Sequence, residues 1–391
     1  MEMPLSGITV LDLTRLLPGP FCSLLLADFG AEVIKVEQPG AGDYMRWYPP
    51  LVGDTGGMYL LLNRNKKSLT LDLSKPAGKE IFFRLARVAD VVLEGFRPGV
   101  ARKLGVDYEA LAEANPRIVY CSISGYGQDG PYAGQPGHDI NYLGYAGVLG
   151  MTGNAGGPPV VPGVQIADIG GGSLVAAAGI LLALLARERT GRGQFVDVAM
   201  LDGVISWLPT LAGGYFAGGE VPARGKTWLT GGYACYGVYR TKDGGYVSLG
   251  ALETHFWERL CRYLGREEFI RWQFAEEKQE EMRSFLEGVF LSRSRDEWVK
   301  IFREIDTCGG PVYNLAEVFE DPQVRHREMV FSLEHPRLGR IKQLGFPVKL
   351  SATPARVRLA PPDLGEHTNE ILSRLGYPEE QIENFRREGV V

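Results

Sequence analysis

Cysteine is sparse and unpaired in this sequence. Cys22, Cys121, Cys235, Cys261 and Cys308 are odd in number and never stand in C-x-x-C spacing. That argues against a disulfide framework and for reduced thiols in a cytoplasmic setting. Only five histidines occur, and no pair has H-E-x-x-H spacing, so no metal is expected. Excess positive charge is missing as well. The formal net charge is −5, which disfavours nucleic acid and anionic membranes as partners. The opening stretch "MEMPLSGITV" lacks the basic and apolar regions of a secretory signal. The longest apolar run, Leu174 to Ala186, falls short of the roughly 20 residues a bilayer span requires and reads as a buried core helix. Internal repeats and low-complexity tracts are absent.

What is present is ordinary for a globular protein: 45% hydrophobic and 23% charged residues, with 51 glycines that imply many tight turns. A chain of 391 residues exceeds one compact core, so two domains are expected. Strand and helix signals alternate from the start. "ITVLDL" (8–13) and "EVIKVE" (32–37) read as strands around a helix over 20–29 that Gly30 closes. Further strands are predicted at 68–73, 90–96 and 117–124, with helices at 76–88 and 108–114. This alternation predicts an α/β fold with a parallel, doubly wound sheet. A triple glycine, 170–172, then precedes a long apolar helix with Arg187 and Arg189 in its last turn and Gly191 at its end. Residues 204–225 show no period and read as a linker. "YGVYRTKDGGYVSLGAL" reads as a hairpin, and amphipathic helices follow. The boundaries expected are a large domain over 1–203, a small domain over 226–325, and a return segment over 326–391.

"GYGQDG" (125–130) matches G-x-G-x-x-G after a strand, but Pro131, Gly134, Pro136 and Gly137 forbid the helix that a dinucleotide site requires. The glycines read instead as shaping a loop that brings amides to a ligand. Asp168 stands in "VQIADIGGGS", just before the triple glycine, where it either caps the long helix or acts beside a closely approaching substrate. Exposed amides at that helix start would suit a developing oxyanion. His138, in "GQPGHDINY", is either a loop histidine bonded to backbone or a proton-transfer group. Glu253 reads locally as a helix-start glutamate, and His255 is a weaker candidate. His326, His335 and His367 sit in polar, turn-rich contexts. Arg64, Lys66 and Lys67, and Arg97, Arg102 and Lys103, form basic clusters that are either a solvated face or a pocket for a phosphorylated small molecule.

"PLSGITVLDLTRLLPGPFCSLLLADFGAEVIKVEQPG", "NRNKKSLTLDL", "VVLEGFRPGV", "GHDINY", "ADIGGG" and "GQFVDVAMLDG" together resemble the family III coenzyme A transferases and the related α-methylacyl-CoA racemases. The resemblance runs on through "LGEHTNEIL" (364–372). It implies a large Rossmann-like CoA-binding domain, a smaller α+β domain and an interlocked homodimer. It also implies an acyl-CoA thioester substrate, with CoA as part of that substrate and no tightly bound cofactor. Gln38, Leu71, Asp72, Leu73, Ser74, Gly95, Phe96, Arg97, Lys103, Gly137, Asp139 and Tyr142 fall in the matching motifs as CoA contacts. His138, Asp168 and Glu253 fall at the catalytic positions. Two departures stand out. Thr230, in "WLTGGYACY", replaces an aspartate of the racemases, and Gln38 and Lys103 replace arginines that meet CoA phosphates. Three functions follow from the resemblance. One is 1,1-proton transfer at the α-carbon of a 2-methylacyl-CoA by His138 and Asp168, with Glu253 assisting the histidine. The second is CoA transfer through an Asp168 anhydride. The third is CoA-thioester binding without catalysis.

Overall fold

The computed structural model describes residues 2–391. The chain divides into two compact units. The first takes the residues up to 146, 164–207 and 322–391; the second takes 147–163 and 208–321.

Six parallel strands form the sheet of the first unit: β1 (Thr9–Asp12), β2 (Glu32–Glu37), β3 (Lys66–Thr70), β4 (Val91–Glu94), β5 (Val119–Ser124) and β6 (Phe195–Ala199). Their order is β3-β2-β1-β4-β5-β6. Register sets Leu11 beside Ile34 and Val92, and Val92 beside Tyr120, all fully or almost fully buried. Such near-continuous apolar strands are what a sheet covered on both faces requires. Succession reverses direction between β1 and β4, so a crevice opens at the carboxyl ends of those strands, where open α/β sheets take their ligands.

Five helices of this unit bear on the site: α1 (Pro18–Asp28), α2 (Pro76–Ala86), α3 (Asp139–Tyr145), α4 (Ile166–Thr190) and α5 (Met200–Ile205). Helix α4 starts earlier than the sequence suggested. Its first nine residues, Ile166–Leu174, wind as a wide π-helical segment, and the α-helix proper runs over Val175–Thr190. The triple glycine therefore lies inside the helix, and α4 reaches 25 residues with half of its most apolar stretch buried.

Charged side chains cross the sheet interior. Lys66 is fully buried, 3.4 Å from Asp12, and also donates to the Pro20 carbonyl and to Asn63 Oδ1, both at 2.9 Å. Lys35 lies 2.9 Å from Asp43 and donates to the Thr14 carbonyl. Arg64 forms a buried pair with Asp28 at 2.6 Å and reaches the Leu344 carbonyl. The return segment is thereby pinned to the sheet, with Arg64 over the ring of Phe346 and Arg46 donating to the Pro362 carbonyl.

In the second unit, β7 (Tyr236–Arg240) and β8 (Tyr246–Gly250) form the predicted hairpin, and β9 (Gly309–Pro311) joins them antiparallel. Trp257, Phe290, Trp298 and Phe302 fill its core. The span 204–225 is not the linker expected. Pro209–Gly218 is helical and belongs to this unit, along with 147–163. Its apolar residues carry no amphipathic period because none of them is buried.

Candidate active site

A cavity of about 300 Å³ lies at the carboxyl ends of β1 to β4. Thr14 and Arg15 follow β1; Glu37 and Gln38 end β2; Leu71, Asp72, Leu73 and Ser74 follow β3; Phe96 follows β4. The loops place those side chains around the crevice that the strand order predicts. Its two most buried carboxylates are already engaged. Glu37 takes Arg46 on both oxygens and Ser68 on one, and Asp43 faces Lys35. Burial opposes the charge on each, yet Arg46 and Lys35 hold both carboxyls below their ordinary values.

The second constellation gathers at the start of α4. His138 precedes α3, and its amide donates to Asn141 Oδ1 at 3.0 Å. Asp139 opens α3 and turns one carboxylate oxygen to α4, where it accepts the amides of Ala167 at 2.6 Å and Asp168 at 3.0 Å. Asp168 itself is half-buried in the first wide turn. Burial, and then the charge of Asp139, push its carboxyl up to about 6, while His138 pulls it down. His138 and Asp168 thus lie within each other's electrostatic field. A carboxyl that titrates there is close enough to neutral pH to exchange protons in either direction.

A family model described as CoA-transferase family III matches residues 5–368. The chain belongs to that family. Succinyl-CoA:glutarate CoA-transferase from Homo sapiens is 37% identical over 398 residues, covering 99% of this chain and 90% of the relative. Alpha-methylacyl-CoA racemase from Homo sapiens is 36% identical over 396 residues, covering 100% and 98%. The crystal structure of a CAIB/BAIF family protein from Brucella suis superposes with a TM-score of 0.83 at 33% identity, covering 96% of this chain and 100% of that one. This member of family III is accordingly an enzyme, either a CoA-transferase or an acyl-CoA racemase.

Of the CoA contacts that the resemblance implied in this family III enzyme, Gln38, Leu71, Asp72, Leu73, Ser74 and Phe96 line the one cavity. Gly95 and Arg97 are exposed on the loop that carries Phe96. Lys103 is exposed on the short helix Val100–Leu104, whose end residues also line the cavity. The remaining three have internal work. Tyr142 is buried between two glycines: a Cβ on Gly125 would stand 2.4 Å from its ring, and one on Gly137 2.6 Å. Asp139 is occupied by the amides of α4.

Several other expectations are corrected. Asp168 does not cap α4 from outside; it sits within the first turn because the helix begins at Ile166. The helix-start amides of Ala167 and Asp168 are not free for an oxyanion, since Asp139 holds both. The triple glycine admits protein rather than substrate. A Cβ on Gly170 would meet the Trp207 indole at 1.6 Å, and one on Gly171 the Met200 carbonyl at 2.6 Å. Two amides of "GYGQDG" are likewise engaged, Gly127 with Ser124 and Gln128 with Asp197. Arg64 and Lys66 form buried ion pairs instead of a phosphate pocket, and Lys67 pairs with Glu32 and Glu370.

Sequence reasoning missed the linkage between Asp139 and α4, which joins residues 28 and 29 positions apart. It also missed a tyrosine cluster in which Tyr126 packs edge-on against Tyr132, Tyr142 and Tyr145. The density of tyrosine over 126–145 was the available signal. Glu253 lies in the second unit, immediately before helix Thr254–Tyr263, and its side chain does not cap that helix. That unit encloses a separate cavity of about 1720 Å³, lined by Lys226, Thr230, Tyr236, Arg283 and Cys308 among others. Arg283 shapes its wall by donating to the Gly231 carbonyl at 2.7 Å.

Proposed function

We propose that this family III enzyme moves a proton at the α-carbon of a 2-methylacyl-CoA thioester, with His138 and Asp168 as the two acid–base groups. The supporting observation is the Asp168 carboxyl at about 6 with His138 in its field. In one direction the Asp168 carboxylate removes the α-proton and the thioester becomes enolate-like. The His138 imidazolium then returns a proton to the opposite face, which inverts the centre. In the other direction the roles exchange, so each group must be able to hold or release a proton near neutrality. Glu253 assists His138 in this reading, as the resemblance implies. The cavity at β1 to β4 takes the adenosine end of CoA, and CoA stays part of the substrate throughout. Incubation with a chiral 2-methylacyl-CoA in deuterated water is expected to put deuterium on the α-carbon with CoA still attached. No incorporation by folded enzyme across several such thioesters would overturn the reading.

A second reading is favoured by the 37% identity to a relative named as a CoA-transferase. There the Asp168 carboxylate attacks the thioester carbonyl, expels CoA thiolate and becomes a mixed anhydride. Hydroxylamine added with an acyl-CoA would then leave a hydroxamate on Asp168, and a racemase would leave none.

We also infer a homodimer working in the reducing cytoplasm. Leu181, Leu182 and Leu185 on α4 expose apolar surface that a second copy would cover, and five cysteines are free. Light scattering on the purified chain is expected to give twice the chain mass, and a monomer at micromolar concentration would count against it.

A further inference from the structure

The wide start of α4 raises a problem of capping. A helix leaves its first amides without internal partners. Gln165, the residue before α4, supplies no side-chain cap. The partner comes instead from a separate helix, as the Asp139 carboxylate oxygen that receives Ala167 and Asp168. Amide-to-carboxylate bonds of this kind are stronger than neutral ones, and a negative charge is favoured at a helix start. We propose that Asp139 is the positioning residue for Asp168, holding the backbone of the first wide turn so that the Asp168 side chain leaves it in one fixed direction. The proposal rests on the proton-transfer or acyl-transfer role given to Asp168 above, and gives Asp139 a part distinct from contact with CoA.

The same contact has an electrostatic side. Asp139 forms no ion pair among the described residues, and its charge opposes ionisation of Asp168 second only to burial, with His138 acting the other way. From α3 and its cap, His138 and Tyr142 also face Asp168, and Arg97 acts on Tyr142. The other elements packed on the wide turn bring Asp202 on α5, Asp197 on β6, Cys22 and Asp28 on α1, and Tyr120 and Cys121 on β5. Arg187, Glu188 and Arg189 lie at the far end of α4. None of these acts on the Asp168 carboxyl.

Two substitutions separate position from charge. Asp139→Asn keeps an oxygen that can accept both amides and removes the charge. Asp139→Ala removes both. Carbon-13 carboxyl NMR of aspartate-labelled enzyme, with Asp168 assigned through Asp168→Asn, reads the residue directly and needs no substrate. The Asp168 titration is expected to fall by roughly 0.5–1 pH unit in Asp139→Asn, and the acid limb of the pH–rate profile should move with it. Asp139→Ala is expected to lower kcat about 10- to 100-fold with KM little changed, because the geometry of the reacting group is lost. Unaltered kcat in folded Asp139→Ala, or in Asp139→Ser where Asp139→Ala fails to fold, would overturn the positioning role, because neither side chain can hold both amides. An unmoved Asp168 titration in Asp139→Asn would overturn the electrostatic part.

Discussion

Asp168 and Glu94 are two carboxyls whose surroundings raise their proton affinity, with opposite consequences. In the proposed chemistry the Asp168 carboxylate is the form that removes the α-proton or attacks the thioester, and the carboxyl titrates at about 6. Activity toward the enantiomer that Asp168 deprotonates should therefore rise with pH through that value, and a kcat/KM profile from pH 5 to 8 checks it. Asp168→Asn should cost about 10²- to 10⁴-fold in kcat under either reading of the reaction. Glu94 ends β4 and is buried. Burial pushes its carboxyl up to about 7, although Ser122 and the Phe96 amide pull the other way. Because the folded value exceeds the unfolded one, the folded state holds this proton longer. The stabilisation is complete below pH 4.5 and is lost as pH rises through 7. The shift corresponds to about 3 kcal/mol. Glu94→Gln should accordingly gain in Tm relative to the parent as pH goes from 6 to 8.5, and parallel melting curves across that range would refute the assignment.

Among the helices and strands, the contact between α4 and α5 brings backbone against backbone. A Cβ on Gly203 would stand 2.1 Å from the Gly171 carbonyl oxygen, and both partners are backbone. No rotamer change can relieve that approach. Gly203→Ala should therefore destabilise by about 1–3 kcal/mol and displace the wide turn, which Tm and kcat together would reveal. A Tm equal to the parent's would show the helices free to part. This contact also marks what could be read in advance. The strands over 8–13, 32–37 and 117–124 were legible because sheet burial writes continuous Val, Ile and Leu into the sequence. "ADIGGG" was legible as a special place, but its meaning was inverted: the glycines suggested a ligand, and they accommodate Trp207, Met200 and Gly203. A missing side chain records that something comes close, never what comes close. For the same reason Gly125 and Gly137 gave no hint of Tyr142. His138 and Asp168 were singled out through motif, whereas Asp139's hold on α4 spans a separation that local pattern does not reach.

Across the chain as a whole, long-range charge contacts tie the return segment to the sheet. Arg64 binds Asp28 and reaches Gln343 and Leu344 from the far end of the sequence. Arg64→Ala would leave the buried Asp28 without its cation and should cost about 3–5 kcal/mol, measured by urea titration. A loss below 1 kcal/mol would mean that water replaces the guanidinium. The pair between Arg46 and Glu37 bears on ligand choice. In doubly wound sheets that take NAD, an acidic residue downstream of the glycine-rich turn hydrogen-bonds the ribose hydroxyls. Here the carboxylate at the end of β2 is fully committed to Arg46, Ser68 and the Asp43 amide. A nicotinamide dinucleotide entering this crevice would find its sugar unanchored, so the protein should discriminate against redox carriers although its strands succeed one another as theirs do.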